Sequence, residues 1–211
     1  TAENGRDIAY NYDYDVDGAW ATNNKVELLT DARWTLANKA TTDPINDLLD
    51  AVEVLAETKG VKATEVLMNT TTFKGMIASE SIRKAMNPLG ATSIVVTRNT
   101  AKQFIESETG LTITLYDKMF KDEQGNDQKY YPDGYCTLLP SYALGNTWYG
   151  TTPEEFDLMS GNAGASVSIV NTGIAITTIK EPHPVNVQTI VSEIVLPSFE
   201  RMDDIYVIKV F

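Results

Sequence analysis

The stretch DPINDLLDAVEVLAETKGVKATEVLMNTTTFKGMIASESIRKAM, residues 43–86, gives the clearest prediction of the fold. Apolar residues in its first part recur at helical spacing, and the acidic residues lie largely on the other side. Asp43 is positioned to cap the first free N–H groups, Pro44 suits the first helical position, and Gly60 can take the left-handed exit. The apolar residues are Ile45, Leu48, Leu49, Val52, Leu55 and Ala56, and the acidic ones are Asp47, Asp50, Glu53 and Glu57. We therefore expect a long amphipathic helix whose two ends are both specified.

The same stretch continues with a strand and two shorter helices. Glu65–Met68 is a short apolar run that predicts a strand, and residues 69–71 supply caps for a helix bearing Phe73, Met76 and Ile77. A third helical segment, 79–86, stops at Asn87-Pro88, because the residue before a proline disfavours the helical conformation. The predicted order is helix, turn, strand and two helices.

The remaining chain predicts strands and turns, with one further helix. That helix is capped by Asn99 or Thr100 and ended by Gly110. Spacing between residues 25 and 40 does not decide between helix and strand, although Trp34 there is expected in the core. The predicted strands are 8–16, 93–97, 111–115, 128–131, 135–139 and 167–170, and the predicted turns are 121–126, 132–134 and 152–155. This density of turns favours a mixed sheet.

Composition excludes several classes of function. The chain has 211 residues, 43% hydrophobic and 22% charged, which is ordinary for a globular protein. Its net charge of −12 and pI near 4.5 oppose binding to phosphates or to an anionic membrane surface. Cys136 is the only cysteine, so no disulfide can form within the chain, and no apolar run approaches a membrane span. The chain begins at Thr1 within a polar, tyrosine-rich stretch, and we expect it to be a fragment lacking an N-terminal portion.

Three groups of residues together resemble a known family. Residues 43–49, 60–68 and 81–86 are similar to the spine-helix region of tailed-phage major capsid proteins of the lambda-like E family. Residues 111–117, 122–125, 132–134 and Tyr149-Gly150 follow in the order of that family's axial domain. The segments 181–189, 195–197 and 203–210 resemble its closing strands. The resemblance extends from about Tyr10 to the end of the chain.

This resemblance implies an α+β fold of the Hong Kong 97 type, with a long spine helix and mixed β-sheets. Residues 1–42 would be the end of an extended loop or arm that enters the peripheral domain. The peripheral domain would comprise residues 43–92 and 181–211, and the axial domain would comprise residues 93–180.

The resemblance also implies a function and its partners. The protein would be a structural subunit of a phage or prophage capsid that self-assembles into an icosahedral shell enclosing DNA. It would form hexamers and pentamers, with a scaffold or portal protein as a possible further partner, and would assemble in the host cytoplasm. No membrane or sequence-specific nucleic-acid binding, no cofactor and no enzymatic reaction are expected.

The motif Asp13-x-Asp15-x-Asp17-Gly18 matches the opening of a calcium-binding loop. The match fails further on, because position twelve would be Asn24 rather than a bidentate glutamate, and no helix is predicted before it. We therefore expect the edge of a solvated acidic strand that arrives at Trp20 as an extended arm, and we expect no metal site.

No other residue predicts catalysis. His183 lies between two prolines and is expected to have a structural or solvent-facing role. Cys136 has no CxxC partner and no cation nearby in the sequence, so it is expected to be a packed small hydrophobe. Residues 161–164 (GNAG) lack the Lys-Ser/Thr ending of a phosphate loop and predict a turn.

One alternative function comes from a different class. Several aromatic residues could form stacking faces for sugars, as in an extracellular carbohydrate-binding module. These residues are Tyr10, Tyr12, Tyr14, Trp20, Trp148 and Tyr149. Such a module should show an exposed aromatic platform and stay monomeric, whereas a shell subunit should expose surfaces and strand edges that await neighbours.

Overall fold

The computed structural model describes residues 15–87, 97–122, 124–161, 166–171, 173–183 and 185–211. The helices are α1 (Ala19–Asn23), α2 (Pro44–Lys59), α3 (Thr70–Ile77), α4 (Glu80–Met86), α5 (Arg98–Thr109) and α6 (Pro153–Met159). The strands are β1 (Lys25–Glu27), β2 (Glu65–Met68), β3 (Thr112–Leu115), β4 (Met119–Lys121), β5 (Asp127–Lys129), β6 (Tyr135–Leu139), β7 (Gly145–Tyr149), β8 (Ser166–Asn171), β9 (Ile174–Pro182), β10 (Val185–Glu193), β11 (Val195–Phe199) and β12 (Tyr206–Lys209). Most of the strand predicted at 8–16, and the strand predicted at 93–97 except Thr97, lie outside the described residues.

Helix α2 has the predicted bounds. Gly60 ends it in the left-handed conformation, with φ of 67°, and its N–H donates to the carbonyl of Ala56. The predicted cap at the other end is wrong, since the Asp43 side chain accepts no backbone N–H and instead accepts a bond from Asn46 Nδ2 at 2.6 Å. The first turn therefore depends on Pro44, which has no N–H to satisfy.

The buried face of α2 is narrower than the sequence predicts. Leu48, Ala51 and Leu55 are buried in the core, while Leu49 is 38% exposed and Ala56 is also exposed. Residues 48, 51 and 55 fall on one line along the helix, and position 49 is rotated about 100° away from Leu48. The predictions for Leu49 and Ala56 were therefore wrong, because β12 and the helices α4 and α5 cover only one side of α2.

A five-stranded mixed sheet supplies the other side of this core, in the order β1-β12-β6-β2-β3. β2 pairs in parallel with β3 and antiparallel with β6, so that Met68 lies opposite Cys136. β6 in turn pairs with β12, which places Ile208 opposite Cys136 as well. The three side chains are fully buried, and β2 and β12 bury alternate residues, whereas β6 buries three consecutive ones.

The segment that the sequence left undecided, residues 25–40, contains β1 and a 3₁₀ turn at Thr30–Ala32. β1 joins the sheet edge by pairing in parallel with β12. Trp34 follows with 1% of its surface exposed, as expected, and its backbone N–H donates to the carbonyl of Val210 at 3.0 Å.

Helix α5 begins two or three residues earlier than predicted. The cap is Thr97, whose hydroxyl accepts the N–H of Thr100 at 3.2 Å, so the caps predicted at Asn99 and Thr100 are wrong. Thr97 has extended backbone angles, which the cap position requires, whereas Asn99 and Thr100 already lie inside the helix. Gly110 ends α5 with φ of 69°, as predicted.

The chain divides into two compact units. The first comprises Thr1–Tyr142 and Arg201–Phe211, and the second comprises Ala143–Glu200. In the second unit β10, β9 and β8 form an antiparallel sheet in that order, and β7 pairs with β11. The division into peripheral and axial domains rests on the family resemblance and remains a prediction.

A turn predicted at residues 152–155 is instead the start of α6. The Thr152 hydroxyl accepts the N–H of Glu155 at 3.2 Å, and Pro153 occupies the first turn. These residues form a helix start, since Thr, Pro and Glu suit its first turn.

Candidate functional site

The acidic run near the N-terminus holds a helix rather than a strand. The Asp15 carboxylate accepts the N–H groups of Trp20 at 2.8 Å and Ala21 at 3.0 Å, and the Asp17 carboxylate accepts that of Ala19 at 3.1 Å. Asp13 lies outside the described residues. The expected strand is therefore wrong for residues 15–20, because these carboxylates bind the backbone of α1. Within the described part of the chain, no three acidic, His or Cys residues are grouped so that they could hold a metal ion.

The other residues with potential chemistry each have a separate structural position. His183 is exposed in the turn between β9 and β10. Cys136 is fully buried in β6, and this burial raises the pKa of its thiol, which keeps it protonated and unreactive. Gly161 has φ of 76° and occupies a turn, whereas residues 162–165 lie outside the described part.

The aromatic candidates of the second unit do not share one face. Trp148 and Tyr149 are 59% and 49% exposed, but they are neighbours in β7 and so point to opposite sides of the strand. Trp20 is half-buried, and its indole Nε1 donates to the carbonyl of Met202 at 2.9 Å. Tyr10, Tyr12 and Tyr14 lie outside the described residues. The two exposed candidates, Trp148 and Tyr149, therefore form no common stacking platform.

A polar network fixes the start of α3: the cap is Asn69, within the predicted capping residues 69–71, whereas its carboxylate and lysine partners were not predicted. Asn69 caps the helix through Thr72 N–H at 2.9 Å, and its amide donates to the Asp133 carboxylate. Lys129 donates to the same carboxylate at 2.6 and 2.9 Å, and this bond holds the pKa of Asp133 below its usual value. The Asp117 carboxylate accepts both the N–H and the hydroxyl of Thr70. Since the network joins α3 to the ends of strands, its role is structural.

The second unit exposes most of its large apolar side chains. Thirteen of them are at least 36% exposed, and Ala175 is the only hydrophobic residue among its described side chains that is buried. The exposed residues are Trp148, Tyr149, Phe156, Leu158, Met159, Ile179, Val185, Val187, Ile190, Val191, Ile194, Val195 and Leu196. We call this set the apolar surface. A monomeric soluble protein rarely leaves so many apolar residues uncovered, and such surfaces mark sites of protein association.

Strand β10 contributes most to this apolar surface. Eight of its nine residues are exposed, including Val185 at 88% and Val191 at 63%. It forms one edge of the three-stranded sheet, and within the described residues no strand pairs with its outer side. A long edge strand with exposed β-branched residues is a template for pairing with another chain.

Backbone contacts give the second unit its shape without a large core. A Cβ on Gly145 would lie 1.9 Å from the carbonyl oxygen of Ser198, so only glycine allows β7 and β11 to approach so closely. The buried carboxylate of Glu155 accepts the N–H of Gly173 at 3.3 Å. The unit is thus ordered by close backbone pairing and polar bonds, and its apolar side chains remain available.

No helix in the described ranges is both long and apolar enough to cross a membrane.

Comparison with known proteins identifies phage-related structures. The similar solved structures include a phage-related protein from Bordetella bronchiseptica RB50, with a TM-score of 0.58 and 13% identity. They also include a protein described as a prophage capsid protein from E. coli CFT073, with a TM-score of 0.58 and 13% identity. The alignments cover 93% and 85% of this chain but only 58% and 50% of those proteins, so the chain spans about half of their length. No curated protein sequence matches the chain significantly.

The structural likeness confirms the α+β, capsid-type fold expected from the sequence. Residues 2–210 match the family model described as Phage major capsid protein E. Since this match covers nearly the whole sequence, the chain belongs to the phage major capsid protein E family.

Proposed function

We propose that the chain works in the capsid by burying the apolar surface of its second unit against neighbouring subunits. Membership of the family makes the protein a structural component of the virion capsid, which agrees with the sequence-based expectation. The main supporting observation is the contrast between the two units: the first has a closed hydrophobic core, while the second exposes thirteen large apolar side chains. Burial of apolar area is the dominant favourable term in most protein association.

The further details of assembly follow the family resemblance. Subunits would form hexamers and pentamers, would close into an icosahedral shell around DNA with help from a scaffold or portal protein, and would assemble in the host cytoplasm. The part containing α2 would be peripheral, with residues 43–92 and 181–211, and residues 93–180 would be axial. The protein would perform no reaction and would need no cofactor.

The negative charge of the chain favours a protein that encloses DNA over one that binds DNA through phosphate contacts. The chain has 29 acidic and 17 basic side chains, and phosphate contacts need the opposite balance. A shell can enclose DNA without gripping it. The carbohydrate-binding alternative receives no support, because the exposed Trp148 and Tyr149 point to opposite sides of β7.

The proposal is tested by measuring self-association of the chain by sedimentation velocity and negative-stain electron microscopy over a range of concentrations. We expect concentration-dependent oligomers. Val187→Lys with Val191→Lys should weaken association, since both side chains are exposed on β10. Leu29→Lys with Leu49→Lys is the matched control, because these side chains are exposed in the first unit, and it should associate like the parent. Equal association of the two double variants would contradict the proposed role of the apolar surface.

A further inference from the structure

Strand β10 is an edge strand that lacks the features by which proteins usually prevent pairing with another chain. Its nine residues, VNVQTIVSE, include no proline, lysine or arginine, and most of them are β-branched. Its pairing with β9 runs without a break from Val185 to Glu193. The opposite edge of the same sheet, β8, is shorter, and its register shifts between Ile169 and Asn171. β10 is therefore the edge of this sheet that is suited to accept a further strand.

The outer side of β10 carries backbone groups that are open to a partner. The N–H of Val187 donates to the side-chain Oδ1 of the preceding Asn186 at 2.9 Å, a bond that suits a donor facing away from β9. Backbone direction repeats at every second residue of a strand, so the N–H groups of Thr189 and Val191 face the same way. Among the described residues, no strand pairs with this side of β10. Thr189, at the middle of the strand, thus presents both its N–H and its C=O outward.

An antiparallel pair of two β10 strands centred on Thr189 matches this edge to itself. Full overlap of the nine residues brings Thr189 opposite Thr189 of the other copy, and Val187 opposite Val191. Each of these pairs joins residues whose N–H and C=O groups face outward, so the two strands can form about ten backbone hydrogen bonds. Thr–Thr pairs and packed β-branched pairs stabilise neighbouring strands. The strand is therefore complementary to a second copy of itself in both its backbone and its side chains.

Charge also permits a second copy at this edge. Glu193 is the only charged residue of β10, and in the pair it lies opposite Val185 of the other copy. The two Glu193 residues are then about 27 Å apart along the strands, at about 3.4 Å per residue. This separation is well beyond the screening length of about 8 Å at physiological ionic strength. Although a net charge of −12 opposes the close approach of two copies, this edge adds no carboxylate repulsion.

We propose that β10 pairs in antiparallel orientation with β10 of a second copy about Thr189, which joins two three-stranded sheets into one sheet of six strands. Asn186 satisfies the Val187 N–H in the single chain, and the Val191 carbonyl of the other copy takes its place in the pair. This inference rests on the proposed function, for which it names the partner strand and its register. Because a two-fold contact is complete with two copies, the rest of the apolar surface is left for other neighbours.

Cysteine cross-linking of the full chain tests this register. Thr189→Cys should give at least about tenfold more disulfide-linked dimer than Val185→Cys, because a disulfide needs Cα atoms about 4.4–6.8 Å apart and the two copies of residue 185 would lie about 27 Å apart. Val187→Cys and Val191→Cys should each cross-link poorly alone but should form a mixed dimer when combined, since they lie opposite each other in the pair. This mixture tests the register independently of Thr189→Cys.

A control outside the second unit measures random collision. Leu29→Cys places a thiol at an exposed position of the first unit and should give only the low yield of Val185→Cys. The native Cys136 is fully buried, so the parent should give no cross-linked dimer. All of these variants should keep the melting temperature and the self-association of the parent, since each changes one exposed side chain.

Self-association separates this inference from the proposed function. A maximum at Thr189→Cys together with the mixed dimer of Val187→Cys and Val191→Cys would support the pairing. Equal cross-linking along β10, or a maximum at another position, would overturn it. The proposed function would still stand in that case if Val187→Lys with Val191→Lys weakened association. A chain that stays monomeric at every concentration would contradict both.

Discussion

Replacing Leu48 by alanine should destabilise the first unit strongly. Leu48 is 0% exposed and packs in the core beneath the sheet. The substitution removes about three carbon groups, worth about 2.4 kcal/mol at about 0.8 kcal/mol per buried methylene. A residual cavity raises the expected loss to about 3–5 kcal/mol, as for other buried leucines. In a domain of this size the melting temperature should fall by about 6–20 °C.

The adjacent Leu49 provides the matched control. It lies on the same helix but is 38% exposed, so its replacement by alanine loses about 1.5 kcal/mol of burial and leaves no enclosed cavity. Thermal denaturation followed by circular dichroism measures both changes. If the two variants melted within about 2 °C of each other, the proposed buried stripe of α2 would be wrong. Replacement of Leu48 or Leu55 by aspartate should prevent folding, since it forces an unpaired charge into the core, whereas a change at the exposed Asp50 should be mild.

Three further predictions concern other parts of the chain. Gly75→Ala should lower the melting temperature, because its Cβ would collide with the Trp34 carbonyl oxygen, while alanine at the exposed Lys74 beside it should have little effect. The bond from Lys129 lowers the pKa of Asp133 in the folded state, so this carboxylate adds stability above its unfolded pKa of about 3.9. That stability is lost as pH falls through the lower folded pKa, and thermal melts from pH 7 to pH 2.5 should therefore show a smaller loss of stability in Asp133→Asn than in the parent. An equal dependence of melting temperature on pH in the two proteins would refute the role of the Lys129–Asp133 pair. Calorimetric titration with calcium should give no binding heat from the run Asp13 to Asp17, since two of its carboxylates already bind the backbone of α1, and a micromolar isotherm would contradict this.

Sequence was most informative where local chemistry and packing agreed. α2 has the predicted bounds because apolar spacing, Pro44 at the start and Gly60 at the end all specify the same element. β2 also has its predicted bounds, and α3 starts after Asn69, within the predicted capping residues. The caps were less predictable: several Ser, Thr, Asn and Asp residues near a helix start can each serve, and the backbone angles of the folded chain select one, as at Thr97. The segment 25–40 had no clear period because β1 is only three residues long and is held by its pairing with β12.

The sequence by itself determined the family, the amphipathic helix and the order of the main strands. It also determined the burial of Trp34 and Cys136 and the net negative charge of the chain. These follow from local periodicity and residue chemistry, which need no distant contact. Only the tertiary structure decided which stripe of α2 is buried, that Met68 and Ile208 both face Cys136, and that Lys39, Lys74 and Arg83 border one hollow. It also decided that the second unit leaves its apolar residues uncovered, because whether a hydrophobic strand residue is buried depends on which distant segments pack against it.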